Sequence, residues 1–262
     1  MKSTFVKYIT LAAVAGMVTG QASAATTVGL ELALLVDVSG SVDASEFVLQ
    51  RDGYVAAFQS VAVQNAITTL ASQNGGNGLA VSYIMWSGAG DQQLSVGWTL
   101  INDAAGANAF AASIAAAARP FSANTAIGNA LIYGTNSLNG NIYDGRQVID
   151  VSGDGENNEG NSAITGRNYA AANNVDKING LPIGGGTLNA YYVNNVQYGA
   201  GSFTLPANTF ADFNAAVQRK IIAEINNTNP VPEGGPGLVL SGILFAGLAG
   251  LRMKFLSRAK AA

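Results

Sequence analysis

From Val28 to Val36 every residue is apolar except Gly29 and Glu31. An unbroken apolar run of this length predicts a strand buried on both faces, Val28 to Asp37, in the middle of a parallel sheet. A helix-start signal follows at Asp43 to Glu46. Phe47, Tyr54, Val55, Phe58, Val61 and Ile67 then recur near helical spacing, predicting one long helix from Asp43 to about Ala71 that ends before Gly75-Gly76-Asn77-Gly78. Leu79 to Trp86 reads as a second buried strand. After a short link, Ser87 to Asp91, the alternation of Leu94, Val96, Trp98 and Leu100 predicts a third strand, paired antiparallel at the sheet edge.

The second half repeats the alternation of strand and helix. Asp103 to Arg119 is alanine-rich and predicted helical, stopped by Pro120. A helix is expected over Thr125 to Tyr133, a strand over Arg146 to Val151, a loop over Ser152 to Asn161, and a helix over Ala163 to Asn173. Ile178 to Ile183 reads as a short strand weakened by Gly180 and Pro182, and Phe210 to Ile225 as a last amphipathic helix. Leu188 to Gly201, rich in Asn and Tyr, shows no clear period. The expected fold class is α/β and doubly wound: a mostly parallel central sheet, one antiparallel edge strand, and helices on both faces.

Composition narrows the chemistry. The 262 residues are 48% hydrophobic and 11% charged, enough for a substantial core, and there is no Cys and no His. Disulfides, thiolate nucleophiles, Ser-His-Asp triads and His- or Cys-based zinc sites are therefore excluded, and any metal must be held by oxygen. Between residues 25 and 232 seven basic residues face fifteen acidic ones, a net charge of −8. An acidic domain without a basic patch predicts no nucleic-acid partner.

The basic residues gather instead in two tails. Lys2 and Lys7 precede an apolar stretch, Tyr8 to Val18, and Gln21-Ala22-Ser23-Ala24 follows with small residues at the positions that define cleavage. This is the pattern of a secretory signal peptide, residues 1–24, implying Sec-dependent export. After the domain, 26–227, comes a linker, 228–236, containing Val231-Pro232-Glu233-Gly234-Gly235. An apolar run of about fifteen residues, 237–251, is short against the ~20 of a spanning helix, and a basic tail, 252–262, would stay on the cytoplasmic side. Motif, apolar run and basic end together resemble the PEP-CTERM class of bacterial sorting signals. The resemblance implies transient anchoring in the inner membrane, an exosortase-type processing enzyme as partner, and a final place at the cell envelope, cell surface or extracellular matrix.

Candidate chemistry centres on Asp37-Val38-Ser39-Gly40-Ser41, where a buried strand ends and a helix begins. In open α/β sheets the ligand crevice lies at the carboxyl ends of the strands. Carboxylate and hydroxyl oxygens suit a hard cation, Mg²⁺ first, with Mn²⁺ or Ca²⁺ as alternatives. The plainer reading of the same residues is helix capping. Two further oxygen-rich turns follow strand-to-helix logic, one opening at Asn124-Thr125 and one at Ser152-Gly153-Asp154-Gly155. Asp150-x-Ser152-x-Asp154-Gly155 also matches the opening of an EF-hand loop, but its twelfth position would be Asn161, where a bidentate carboxylate is needed. Asp150 itself, a carboxylate in mid-strand, is expected to face a helix cap or an Arg such as Arg146. Glu156 and Glu159 read as solvated rim charges.

Asp37-x-Ser39-x-Ser41, then Thr125 opening Thr-x-x-Gly-x-Ala-Leu, then Asp154-Gly155 after an apolar strand, resembles the metal-ion-dependent adhesion site of von Willebrand factor A (vWA) domains. Trp86-Ser87-Gly88-Ala89-Gly90 and the stretch from Ile178 to Ile183 are similar to an uncharacterised family of secreted bacterial members. The resemblance implies that Ser39, Ser41 and Thr125 coordinate a cation through hydroxyls, that Asp37 and Asp154 hold it directly or through water, and that one open position takes a carboxylate offered by a protein or exopolysaccharide partner. The sequence departs from the pattern in the third turn, where Gly153 stands in place of the usual Thr. The expected function is a non-enzymatic, cation-dependent binding or adhesion module. The alternatives are a metal-assisted hydrolase, against which stands the lack of an obvious general base, and a structural domain whose site holds nothing.

Overall fold

A computed structural model describes residues 24–230. The expected signal peptide, apart from Ala24, and the sorting motif, apolar run and basic tail from 231 onward lie outside the described residues. Among the described residues no helix is long and apolar enough to cross a membrane.

The domain has five strands: β1 (Thr26–Asp37), β2 (Leu79–Trp86), β3 (Gln92–Ile101), β4 (Tyr143–Gly153) and β5 (Lys177–Pro182). They form one sheet in the order β3-β2-β1-β4-β5. All neighbouring pairs are parallel except β2 and β3. Among the described residues there are seven helices: α1 (Ala44–Gln59), α2 (Val61–Gln73), α3 (Ala104–Ala116), α4 (Ile127–Asn139), α5 (Ala163–Ala172), α6 (Leu188–Asn195) and α7 (Phe213–Asn226). The fold class is the expected one.

Because strand side chains alternate, β1 feeds two cores at once. Leu30, Leu32, Leu34 and Val36 meet α1, α2, α3 and α7 on one face, while Ala33 and Leu35 meet α4, α5 and α6 on the other. The apolar run carries no period because both faces are covered. Beyond β5 the chain returns at Phe203–Ala207, with Gly180 N donating to Phe203 O (3.1 Å) and Ala207 N to Pro182 O (2.9 Å). This irregular stretch covers the edge of β5 without becoming a strand.

Several boundaries differ from the sequence reading. The long first helix is two helices, parted at Ser60, whose ψ of 138° is extended. The Ser60 hydroxyl donates to Ala57 O (2.7 Å) and accepts from Val63 N (3.3 Å), closing one helix and opening the next. Val61, counted on the apolar face of a continuous helix, is 71% exposed as a result. Helix α3 stops at Ala116 rather than Arg119, since Arg119 is drawn into the first turn of the site described below. Helix α4 continues past Tyr133, because Gly134 lies against the side chain of Leu35 without ending the helix. The stretch without clear period contains α6.

Asp150 also differs. Its partner is Lys220 of α7, with Nζ 2.6 Å from Oδ1, neither a helix cap nor Arg146. Lys220 also donates to Glu224 Oε1 (2.6 Å), and Asn179 Nδ2 donates to the same oxygen (3.0 Å). Asp150, Lys220 and Glu224 are all buried. Two acids share one base away from water, so burial pushes both carboxyls up, that of Glu224 to about 7, where the charge of Asp150 adds to the effect. Arg146 instead donates to the carbonyl of Glu224 (2.8 Å) at the end of α7.

Candidate metal centre

The parallel sheet sets the place. β1 and β4 are neighbours running the same way, with Val36 opposite Ser152. Their carboxyl ends therefore bring the turns after Asp37 and Gly153 together at one rim. The chain after β1 crosses to the α1 face and the helix before β4 lies on the other, so this is the point where the winding reverses and a crevice opens.

Each turn is held by its own local bonds. Asp37 Oδ1 accepts from Ser39 N at 2.8 Å, which tightens the first turn and lines up both serines. A capping box starts α1 just beyond: Asp43 Oδ1 accepts from Ser45 N (2.7 Å) and Glu46 N (2.9 Å), and Asp43 N donates to Glu46 Oε2 (2.8 Å). Asp43 thus does the capping, which leaves Asp37, Ser39 and Ser41 free of that task. The second turn is fastened to the first by Gly40 N donating to Ala123 O (2.7 Å). Ser87, at the end of β2, supports it from below, accepting from Ala123 N (2.7 Å) through Oγ and from Ala126 N (2.9 Å) through its carbonyl. The third turn is clasped to the second by Asn158, which accepts from Thr125 N (2.9 Å) and donates through its own N–H to Thr125 O (2.9 Å).

The five expected residues meet. Ser39 Oγ and Ser41 Oγ are 3.2 Å apart, Thr125 Oγ1 donates to Ser39 Oγ at 3.3 Å, and Ser41 Oγ donates to Asp154 Oδ1 at 2.6 Å. Asp37, Ser39 and Thr125 are buried, Asp154 is half-buried and Ser41 is exposed, so the donor set opens to solvent on the Ser41 side. Oδ2 of Asp37 is buried and has no hydrogen-bond partner. Burial pushes the Asp37 carboxyl up to about 7, against the hydrogen bonds from Ser39 and with help from the charge of Asp154. Burial likewise raises Asp154, opposed by the bond from Ser41 and reinforced by the charge of Glu46.

Two carboxylates and three hydroxyls from three turns suit a hard divalent cation, and Oδ2 of Asp37 is a buried acceptor to which no donor is bonded. Among the described residues there is no group of three or more His, Cys, Asp or Glu side chains of metal-binding kind. The donor set is recognisable only when its hydroxyls are counted.

Other expectations resolve differently. Ser152 does not reach this set; it points to the opposite face of β4, where its hydroxyl accepts from Tyr54 OH (3.1 Å). Asp150 points the same way, into the pair with Lys220, so the EF-hand spacing does not converge on one point. Glu159 is half-buried, and its Oε2 accepts from Ala89 N (3.1 Å), while Glu156 is exposed. Gly128, of the Thr-x-x-Gly-x-Ala-Leu stretch, is required by packing: a Cβ there would collide with the carbonyls of Asn161 and Ser162.

Sequence reasoning missed Arg119 and Tyr191. Arg119 donates to Val38 O (2.9 Å), Ser39 O (2.8 Å) and Phe121 O (2.9 Å), and its guanidinium sits 5.8 Å from the Phe47 ring centre. It braces the first turn from behind. A cation beside a helix-stopping proline was the available signal. Tyr191 OH accepts from Asn157 N at 3.2 Å and steadies the third turn. Its helix had no readable period.

Comparison with solved structures shows the same fold elsewhere. The proximal thread matrix protein 1 of the mussel byssus matches at TM-score 0.55 and 15% identity, over 76% of this chain and 46% of that one. The pilus adhesin SpaC of Lactobacillus rhamnosus GG, in its open conformation, matches at TM-score 0.57 and 15% identity, over 78% of this chain and 31% of that one. The mussel protein in a form titled as having a zinc-occupied MIDAS motif matches at TM-score 0.52 and 14% identity, over 76% and 45%. The chain therefore spans less than half the length of these proteins. A search of curated protein sequences finds no match. A family model described as a protein of unknown function, DUF1194, matches residues 27–229, and the chain belongs to that family.

Proposed function

We propose that this protein is a vWA-type binding module that takes a divalent cation, Mg²⁺ first and Mn²⁺ or Ca²⁺ as alternatives, at Asp37, Ser39, Ser41, Thr125 and Asp154. The observation that carries the reading is the meeting of the Ser39, Ser41 and Thr125 hydroxyls with the Asp154 carboxylate across three separate turns, beside the buried Asp37, whose Oδ2 has no hydrogen-bond partner. A bound cation would give the buried Asp37 carboxylate a positive partner. Two carboxylates offset the cation's charge without exceeding it, so a further carboxylate entering from the solvent side, next to Ser41, can fill a coordination position on the cation. The partner is therefore a protein or polysaccharide that offers a carboxylate. The zinc-occupied motif of the mussel protein and the adhesive role in the pilus protein's name are in keeping with this, although at such identity they speak for the fold alone.

Catalysis forms no part of the proposal. Lys220 is bound to Asp150 and Glu224, Lys177 donates to Asn227 Oδ1 (2.7 Å), Glu46 accepts from Asp43 N and Glu159 from Ala89 N. A binding module is expected to show no turnover of ester or phosphate substrates. Export, exosortase processing and final residence at the envelope rest on the two tails of the sequence.

Two measurements test the proposal. Mg²⁺ or Mn²⁺ is expected to raise the melting temperature, and Asp37→Ala to abolish the rise. Retention of an envelope-fraction partner is expected to disappear with chelator. A melting temperature indifferent to both cations, with Asp37→Ala unchanged from wild type, refutes the metal site.

A further inference from the structure

Tyr192 of α6 lies in a slot left open by two glycines. Its side chain is fully buried on the face shared with α4 and α5. At Gly180 of β5 the place of a Cβ is 2.9 Å from Cδ1 of the ring, and at Gly153, the end of β4, it is 2.7 Å from the phenol oxygen. That same point above Gly153 is 2.7 Å from Oδ2 of Asp37. The two oxygens are thus near neighbours, within reach of a single bridging water. Neither has a hydrogen-bond partner.

A buried polar atom left unpaired is costly, and here two of them converge on one spot. One is a hydroxyl that can donate, and the other belongs to a carboxylate that, once ionised, can only accept. Burial and the charges of Asp37, Asp154 and Asp150 hold the phenol proton on well above the ordinary range, so the group is a donor at every working pH. A side chain at Gly153 would close the gap between the two atoms, which gives the departure from the usual Thr a physical reason.

We propose that Tyr192 is a positioning residue of the metal centre, its phenol O–H donating to Oδ2 of Asp37, directly or through one water, and fixing the orientation of that carboxylate. The proposal rests on the metal site argued above. Partners of this kind, when mutated, typically lower metal affinity about 10–100-fold.

The test is Tyr192→Phe in the full chain. Titration with Mn²⁺ is expected to give a dissociation constant weakened about tenfold. The melting temperature in chelator is expected to stay level or rise, since an unpaired hydroxyl is gone, while the increment from Mg²⁺ shrinks. Adding Mg²⁺ to wild type is expected to perturb the tyrosine ultraviolet spectrum, and the perturbation persists in Tyr191→Phe but not in Tyr192→Phe. Wild-type affinity in Tyr192→Phe, an equal fall in melting temperature with and without metal, or the absence of any tyrosine perturbation in metal-loaded wild type each overturns the role of Tyr192 while leaving the metal site standing. A wild type that binds no Mn²⁺ overturns both.

Discussion

Replacing Asp37 with Asn is expected to stabilise the metal-free protein while destroying its response to metal. The carboxyl is buried, and its pKa is raised from 3.8 to about 7. For a group raised in the fold, stability is fully present below the unfolded value and is lost as pH rises through the folded one. At about 1.36 kcal/mol for each pH unit between those two values, roughly 4 kcal/mol is lost by pH 8. Asn keeps an oxygen for the bond from Ser39 N and carries no charge, so it avoids this loss but must place an amide among the hydroxyls. We expect a net gain of about 2–3 kcal/mol at pH 8 that turns into a net loss of about 1 kcal/mol near pH 4, where the charge penalty it avoids has nearly vanished. At about 2–4 °C per kcal/mol for a domain of this size, the gain at pH 8 is a rise of roughly 4–12 °C. Urea and thermal unfolding in chelator, at both pH values, measure it directly. The same titration in Mg²⁺ should reverse the order, with wild type above the variant. A variant less stable than wild type in chelator at pH 8, or one that keeps the metal-induced rise, refutes the reasoning.

Three further substitutions follow from the same geometry. Lys220→Met leaves Asp150 and Glu224 buried without their base and is expected to cost about 3–5 kcal/mol in urea unfolding at neutral pH, with Asp150→Asn restoring part of it. Arg119→Ala removes the bonds to Val38 O and Ser39 O; a loss of about 2 kcal/mol in unfolding and a several-fold weaker Mn²⁺ titration are expected, and unchanged affinity would show that the first turn holds its shape alone. Gly128→Ala forces a methyl group into the carbonyls of Asn161 and Ser162, where α4 passes the start of α5, and should lower stability by about 1–3 kcal/mol; an unchanged melting curve would show that those carbonyls can retreat.

Much of the fold could be read from the chain because its signals are local. The apolar runs of β1 and β2 have no period since both faces are covered, whereas β3 is the antiparallel edge strand expected, but its register shifts against β2 divide the alternating residues, Val96 packing with one core and Trp98 with the other. Asp43 and Glu46 announce the start of α1 within four residues. The spacing of Asp37, Ser39 and Ser41 likewise lies within one turn, and Ser39 N completes it without outside help. The order of elements then constrains which strand ends share a rim, and the convergence of Thr125 and Asp154 on that turn was expected from the resemblance that the three motifs carry together.

What the chain could not reveal depends on partners distant in sequence. Asp150 is a mid-strand carboxylate whose meaning appears only when α7 delivers Lys220. Arg119 has no local reason to leave a helix until the carbonyls of Val38 and Ser39 stand beside it. Ser60 parts two helices that share one apolar spacing, because Ala57 and Val63 both find its hydroxyl. Gly153 and Gly180 look like weak points in strands until Tyr192 fills the space above them. Side-chain periodicity reports which face is covered, whereas the partner of a buried charge or hydroxyl is decided by packing across the sheet, and that information exists only in three dimensions.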